Sequence, residues 1–129
     1  MIVLDTHIWI WWVDNNPRLT QQHREWITAN QSSGLGVSIY SCWEIAKLVE
    51  KNRVGFSLSI EEWFTAALAY PGVQLLDLTL PIVIQSTQLA GFHNDPADQI
   101  IVATAKAHNC PLLTADQKIL GYSGVQTLK

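Results

Sequence analysis

Met1-Ile2-Val3-Leu4-Asp5-Thr6-His7 opens with apolar residues and stops at a carboxylate. A run this short and this apolar is the pattern of a strand buried on both faces, as parallel strands are. Asp5 and Thr6 end it. Ile8, Trp9 and Trp12 then recur at helical spacing, so a helix follows. Strand, acidic end, helix is the unit from which α/β sheets are wound, and the rest of the chain decides whether it repeats.

It does repeat. Asp14-Asn15-Asn16-Pro17 breaks the first helix, residues 18–30 read as a polar helix, and Gln31-Ser32-Ser33-Gly34 is a loop. Leu35–Ser38 reads as a second strand, followed by a helix that carries Ile45, Leu48 and Val49 toward the core and ends near Asn52. Residues 59–70 form another helix, with Ser59 as cap and Glu62 at the capping-box position. Pro71-Gly72 turns the chain into a strand at Val73–Leu76, and Pro81 opens a helix to about residue 90. A helix over 95–108, a strand over 111–114, a helical turn over 116–120 and an edge strand over 124–128 complete the pass. There is no internal repeat or linker. The alternation predicts one domain over 1–129, a three-layer α/β/α fold with a mainly parallel central sheet.

Composition narrows the function. Hydrophobic residues make up 48% and charged residues 15%, which excludes bulk disorder. Cys42 and Cys110 lie in apolar contexts with no metal or redox spacing and read as buried thiols of a reducing compartment. The apolar opening is interrupted by Asp5 and His7, too short for a membrane helix, and lacks the features of a signal peptide. A cytoplasmic location with no membrane partner is the default expectation. The net charge of −3, with only Lys47, Lys51 and Arg53 grouped, argues against nonspecific nucleic-acid binding by charge alone.

The acids carry the chemistry. In Asp95-Pro96-Ala97-Asp98, Asp95 reads as an N-cap, Pro96 fits the first helical position, and Asp98 falls one turn inside. Asp5 and Asp116 lie at strand ends, and Glu44 is early in the helix after the second strand. In a parallel sheet all four share the carboxyl edge, where function gathers. Each also has a plain structural reading: Asp5 and Asp116 as helix caps, Glu44 in a capping box with Ser41, and Asp98 as favoured charge at a helix start. Those readings do not explain why four carboxylates meet at one edge, where they repel unless a cation lies among them. Oxygen ligands without a histidine or cysteine cluster select Mg²⁺ or Mn²⁺ over zinc. One or two such ions suit phosphodiester hydrolysis by activated water.

Four segments, in order, now bear a family likeness: Val3-Leu4-Asp5-Thr6-His7, Val37-Ser38-Ile39-Tyr40-Ser41-Cys42-Trp43-Glu44-Ile45, Asp95-Pro96-Ala97-Asp98-Gln99-Ile100-Ile101-Val102-Ala103-Thr104-Ala105 and Leu113-Thr114-Ala115-Asp116. Together they resemble the PIN domain and, more narrowly, the toxin ribonucleases of bacterial VapBC-type, type II toxin–antitoxin pairs. The resemblance implies that Asp5, Glu44, Asp98 and Asp116 are the catalytic and metal-holding acids, for one or two Mg²⁺ or Mn²⁺ ions. Thr6, Thr114 and Asp95 would be supporting polar groups. It further implies an endoribonuclease acting on transfer RNA or another structured RNA, an inhibiting antitoxin protein, and a homodimer. Gln99 stands where many relatives carry arginine, which removes a positive charge beside the site.

The remaining candidates flank these motifs. His7 and His93 each read either as a general base or pH-sensitive partner, or as an ordinary hydrogen-bonded or solvent-facing histidine. Trp9 and Trp12 read as core. Trp11 falls on the opposite helix face, where a protein interface is favoured over stacking on an RNA base. Trp43, Phe56, Trp63 and Phe64 belong to a helical hairpin resembling the region where family members receive an antitoxin; the plainer reading is a hairpin packed on the sheet. Two other function classes compete. One is a PIN-like protein that binds partners without cleaving RNA. The other is an aspartate-based phosphotransfer domain, which lacks here a paired acid at the first strand and a late lysine, and has His7 where a phosphohydrolase needs a second aspartate.

Overall fold

The computed structural model describes residues 1–129. Five strands, β1 (Ile2–Leu4), β2 (Leu35–Ser38), β3 (Val73–Leu76), β4 (Leu112–Leu113) and β5 (Thr127–Leu128), form one sheet. Their order is β3-β2-β1-β4-β5, and every pairing is parallel. Between β1 and β2 run α1 (Thr6–Val13) and α2 (Gln21–Asn30); between β2 and β3, α3 (Ile39–Glu50) and α4 (Ile60–Ala69). Between β3 and β4 run α5 (Leu80–Ser86) and α6 (Pro96–Ala107), and α7 (Gln117–Leu120) precedes β5.

Strand alternation divides the interior in two. Ile2 and Leu4 of β1 join one core with Trp9, Ile27, Ile45 and Trp63 of the first four helices. Val3, between them, joins a second core with Ile101, Val102 and Ala105 of α6 and Ile119 of α7. The sheet is thus the middle of three layers, as the strand–helix alternation predicts. Trp9 has no exposed surface and packs edge-on to Trp63 at 5.5 Å, with Phe64 at 6.3 Å. Phe56 stacks on Trp63 at 4.5 Å, and Trp63 Nε1 donates to Asp14 Oδ1 at 3.0 Å.

Three helices stop in the same way. Asn15, Asn52 and Asn109 adopt left-handed backbone just past the ends of α1, α3 and α6, with φ of 51°, 57° and 52°. The next amide in each case reaches back to the last turn: Asn16 to Trp11, Arg53 to Leu48 and Cys110 to Ala105. This is the Schellman arrangement, with asparagine taking glycine's place. Gly72, at φ +89°, is a turn position where backbone bars a side chain, because a Cβ would strike the Gln31 carbonyl. Gln31 Nε2 in turn donates to the Pro71 carbonyl at 3.0 Å, joining the loop before β2 to the turn before β3.

Local boundaries differ from the sequence reading at several places. The α2 helix begins at Gln21, because Thr20 accepts from the His23 amide and His23 returns the bond in a capping box. Ser41 and Glu44 form no capping box: Ser38, at the strand end, accepts from the Tyr40 amide and starts α3 three residues earlier. The α5 helix stops at Ser86, four residues short of the expected end, and β5 is only two residues long. Trp12 is half-buried against Tyr70 at 5.0 Å, and both cysteines are free and half-buried, not fully enclosed. No helix is long and apolar enough to cross a membrane. Trp9→Ala should lower stability by about 3–5 kcal/mol, read from the urea midpoint, since it empties the centre of the larger core.

Candidate active site

The chain builds β1, β2 and β3 to one side, then returns to place β4 on the other side of β1. Loops leaving β1 and β4 at their carboxyl ends therefore diverge, and a crevice opens between them. Asp5 is the first residue after β1 and Thr114 the first after β4. Thr114 Oγ1 donates to Asp5 Oδ2 at 2.7 Å and accepts from the Asp116 amide at 3.0 Å, so one buried hydroxyl sets two acids. Asp5 Oδ1 accepts from the Thr6 amide at 2.8 Å as the N-cap of α1. Thr6 and Ser41 share a buried hydroxyl–hydroxyl bond of 2.8 Å, which ties α1 to α3. Glu44 follows Ser41 by three residues, one turn along the same helix.

The fourth acid arrives from α6. Asp95 accepts from the Asp98 amide at 3.1 Å and Pro96 occupies the first helical position, as read from the sequence. Asp5, Glu44, Asp98 and Asp116 all line one hollow of about 300 Å³, together with Asp95, His7 and Trp11. Cap and cleft are the same residues for Asp5, Asp95 and Asp116, which cap α1, α6 and α7. Glu44 is the exception, inside its helix rather than at the start. No three acidic or histidine side chains stand close enough together to chelate an ion as they are oriented; the carboxylates surround the hollow instead of closing on a point.

The crowding is visible in their acidities. Burial, followed by the charges of Asp95, Asp116, Asp5 and Glu44, pushes Asp98 up to about 7. Burial also raises Asp5, against the opposing bonds from Thr114 and the Thr6 amide, and raises Glu44, with Asp5 and Asp95 adding to it. Three neighbouring carboxyls thus all hold protons more tightly than in water.

His93 is placed by its own loop. Its Nδ1 accepts from the Asp95 amide at 3.3 Å, its carbonyl accepts from Gln99 Nε2 at 3.0 Å, and its ring lies 4.4 Å from Phe92. Nε2 then comes within 3.1 Å of Asp98 Oδ2, but the ring N–H is not aimed at that oxygen, so this is a close polar approach and not a hydrogen bond. His7 is exposed beside the hollow. Sequence reasoning passed over Ser41 as a link to Thr6, since its partner is 35 residues away and no local pattern marks it. The His93–Asp98 approach had a weak signal in the spacing His93-Asn94-Asp95-Pro96-Ala97-Asp98.

Of the proposed partner residues, Trp63 is only 2% exposed and belongs to the core, while Phe56 and Phe64 are half-buried and Trp43 is 52% exposed. Phe56 and Trp63 reach a second hollow of about 390 Å³, shared with Leu58 and Tyr70.

Two outcomes follow from this geometry. A carboxyl whose folded pKa is raised binds its proton more tightly in the native state than in the unfolded chain. Without added metal, stability should therefore fall as pH rises from about 4 to about 7 and then level off, and Asp98→Asn should flatten that slope in pH-resolved melting curves. Thr114→Val keeps the volume but strips a partner from Asp5 and from the Asp116 amide, and should cost about 1–3 kcal/mol in urea denaturation.

Comparison with known proteins agrees with this architecture. The chain is 28% identical over 119 residues to Ribonuclease VapC22 of Mycobacterium tuberculosis (strain ATCC 25618 / H37Rv), covering 92% of this chain and 88% of that protein. Its fold is similar to that in VapBC2 from Rickettsia felis bound to a DNA fragment from their promoter, with a TM-score of 0.72 at 17% identity over 99% of this chain and 98% of that one. DNA-bound VapBC from Salmonella typhimurium gives a TM-score of 0.72 at 22% identity, again over 99% and 98%. The sequence model of the PIN domain matches residues 2–124, nearly the whole length. The chain belongs to the PIN-domain family.

Proposed function

We propose that this chain is a Mg²⁺- or Mn²⁺-dependent endoribonuclease and the toxin of a toxin–antitoxin pair. The observation that carries the reading is the opening of Asp5, Glu44, Asp98 and Asp116 onto one hollow at the carboxyl edge of the sheet. The ribonuclease name of the mycobacterial relative and the similar fold found in a toxin–antitoxin complex from Klebsiella pneumoniae support it.

The donor set fits a hard divalent cation in kind. Every acidic ligand candidate offers oxygen, and carboxylates spread around a hollow suit an ion that keeps part of its water shell. Asp5, Glu44, Asp98 and Asp116 would hold one or two such ions, which would offset the carboxylate charge, bind the RNA phosphate and lower the pKa of attacking water. The protein's part is to hold the acids still. Thr114 and the Thr6 amide orient Asp5, and the Asp95 cap fixes the backbone from which Asp98 projects. Asp95 remains a supporting group, as do Thr6 and Thr114.

The second hollow, walled by Phe56, Leu58, Trp63 and Tyr70, suits an apolar antitoxin segment. Leu80, Val83 and Ile84 project from one side of α5, with Leu80 70% exposed, and such a row supports self-association as a homodimer. An enzyme acting on cellular RNA under an antitoxin's control works in the cytoplasm, where free Cys42 and Cys110 are stable.

Asp98→Asn should fold normally and lose Mn²⁺-dependent RNA cleavage by more than about a hundredfold, beyond what outer-shell substitutions cost. Manganese should also raise the melting temperature of the wild type and not of the variant, because binding to the folded state alone stabilises it. Full cleavage by a nuclease-free preparation of the variant would contradict the assignment. A wild type that cleaves nothing favours the partner-binding reading.

A further inference from the structure

The acidic hollow runs into another of opposite character. His7 and Trp11, one turn apart on α1, line both, and the neighbouring hollow of about 500 Å³ is bordered by Arg18 and Arg53. Five carboxylates face the first space; two guanidiniums and one carboxylate face the second. These are two of only three arginines in the chain. Neither is ion-paired, since Lys47–Glu50 is the one salt bridge that a lysine or arginine makes. The one acid there, Asp14, already accepts a hydrogen bond from Trp63.

Both arginines stand on held backbone. The Arg18 amide donates to Asn16 Oδ1 at 2.9 Å, and the Arg53 amide closes the end of α3 on Leu48 at 2.9 Å. Trp11 is half-buried at the border between acids and arginines, with its ring 6.1 Å from that of His7. A phosphodiester strand entering a carboxylate-lined cleft is repelled there and needs fixed cations beside it. An aromatic ring next to those cations offers a platform for an unstacked base.

We infer that the Arg18–Arg53 hollow is a subsite for single-stranded RNA, in which the two guanidiniums hold phosphates and Trp11 stacks on a base next to the cleavage point. This rests on the ribonuclease reading and moves Trp11 from a protein interface to the substrate path. The placement of Trp11 between the acids and two unpaired guanidiniums decides the choice, because alternating charge and stacking is the pattern of a nucleic-acid strand.

The test is fluorescence anisotropy of a short labelled oligouridine in metal-free buffer over a range of salt, with intact probe recovered afterwards. The Arg18→Gln/Arg53→Gln double variant should bind at least about tenfold more weakly at low salt. Its slope of log affinity against log salt should shrink by about 1.4, the single-strand value for two lost phosphate contacts. Trp11→Ala should weaken binding about tenfold at every salt concentration with the slope unchanged, and Trp11→Phe should restore most of it. Manganese stabilisation should match the wild type throughout, and so should the melting temperature of the double variant. Trp11→Ala loses packing on the larger core and melts lower, so its binding is measured well below its own melting temperature, where its circular dichroism matches the wild type. Wild-type affinity and slope in folded double and Trp11→Ala variants overturn the subsite and leave the hollow to a protein partner, as does a wild type with no salt-dependent binding. Parallel cleavage assays with manganese separate the two claims. Wild-type cleavage alongside unaltered variant affinities overturns the subsite alone; the expected affinity losses alongside no wild-type cleavage overturn the ribonuclease reading alone.

Discussion

The hydrogen bond from Thr114 to Asp5 joins the ends of two adjacent parallel strands, and the site is built outward from it. It holds Asp5 where β1 meets α1, while the same hydroxyl accepts from the Asp116 amide at the start of α7. Because β1 and β4 flank the place where the winding reverses, no neighbouring helix fills the gap between their exits. The Thr6–Ser41 bond brings α3 and hence Glu44 to that gap, and the Asp95 cap presents Asp98 across from it. The fold thus accepts a standing cost: carboxyls that would ionise freely in water lie beside one another, Asp5 buried and Glu44 and Asp98 half-buried, and Asp98 holds its proton to about 7. Such strain at one edge, in an otherwise well-packed domain, is what a functional site looks like in energetic terms.

Much of this was legible in the chain. The apolar runs at Ile2–Leu4, Leu35–Ser38 and Val73–Leu76 are strands because they are too short for helices and carry no polar face. Asp95-Pro96 and Ser59-x-x-Glu62 are helix starts, since cap chemistry is local. The shared edge of the four acids follows from parallel winding, while the strand order, with β4 returning to the other side of β1, does not. Long-range choices were not legible. Ser38 outcompetes Ser41 as the cap of α3 because the strand delivers it there already extended, at ψ 141°, and Ser41 is then free to meet Thr6 from the far side of the domain. Trp63 reads from the sequence either as a partner-facing aromatic or as packing of the hairpin on the sheet, and the second holds because Trp9 and Asp14 of the α1 segment and Phe56 of the loop after α3 enclose it. Gln99 gave no sign that it would secure the His93 carbonyl.

The net charge of −3 hides a division of the surface. Acids concentrate where chemistry is proposed, and two unpaired arginines, Arg18 and Arg53, border the neighbouring hollow. A polyanionic substrate would then be positioned by local fields and not by overall charge, which reconciles a mildly acidic chain with the RNA substrate proposed for it.

The most direct test of the central claim is a manganese titration of the metal-free protein followed by paramagnetic broadening of its backbone NMR signals. Asp5, Glu44, Asp98, Asp116 and their immediate neighbours should broaden first and together, since a single site draws on all four segments. Broadening centred elsewhere on the surface, or spread evenly over exposed acids such as Glu25, Glu61 and Asp77, would contradict it.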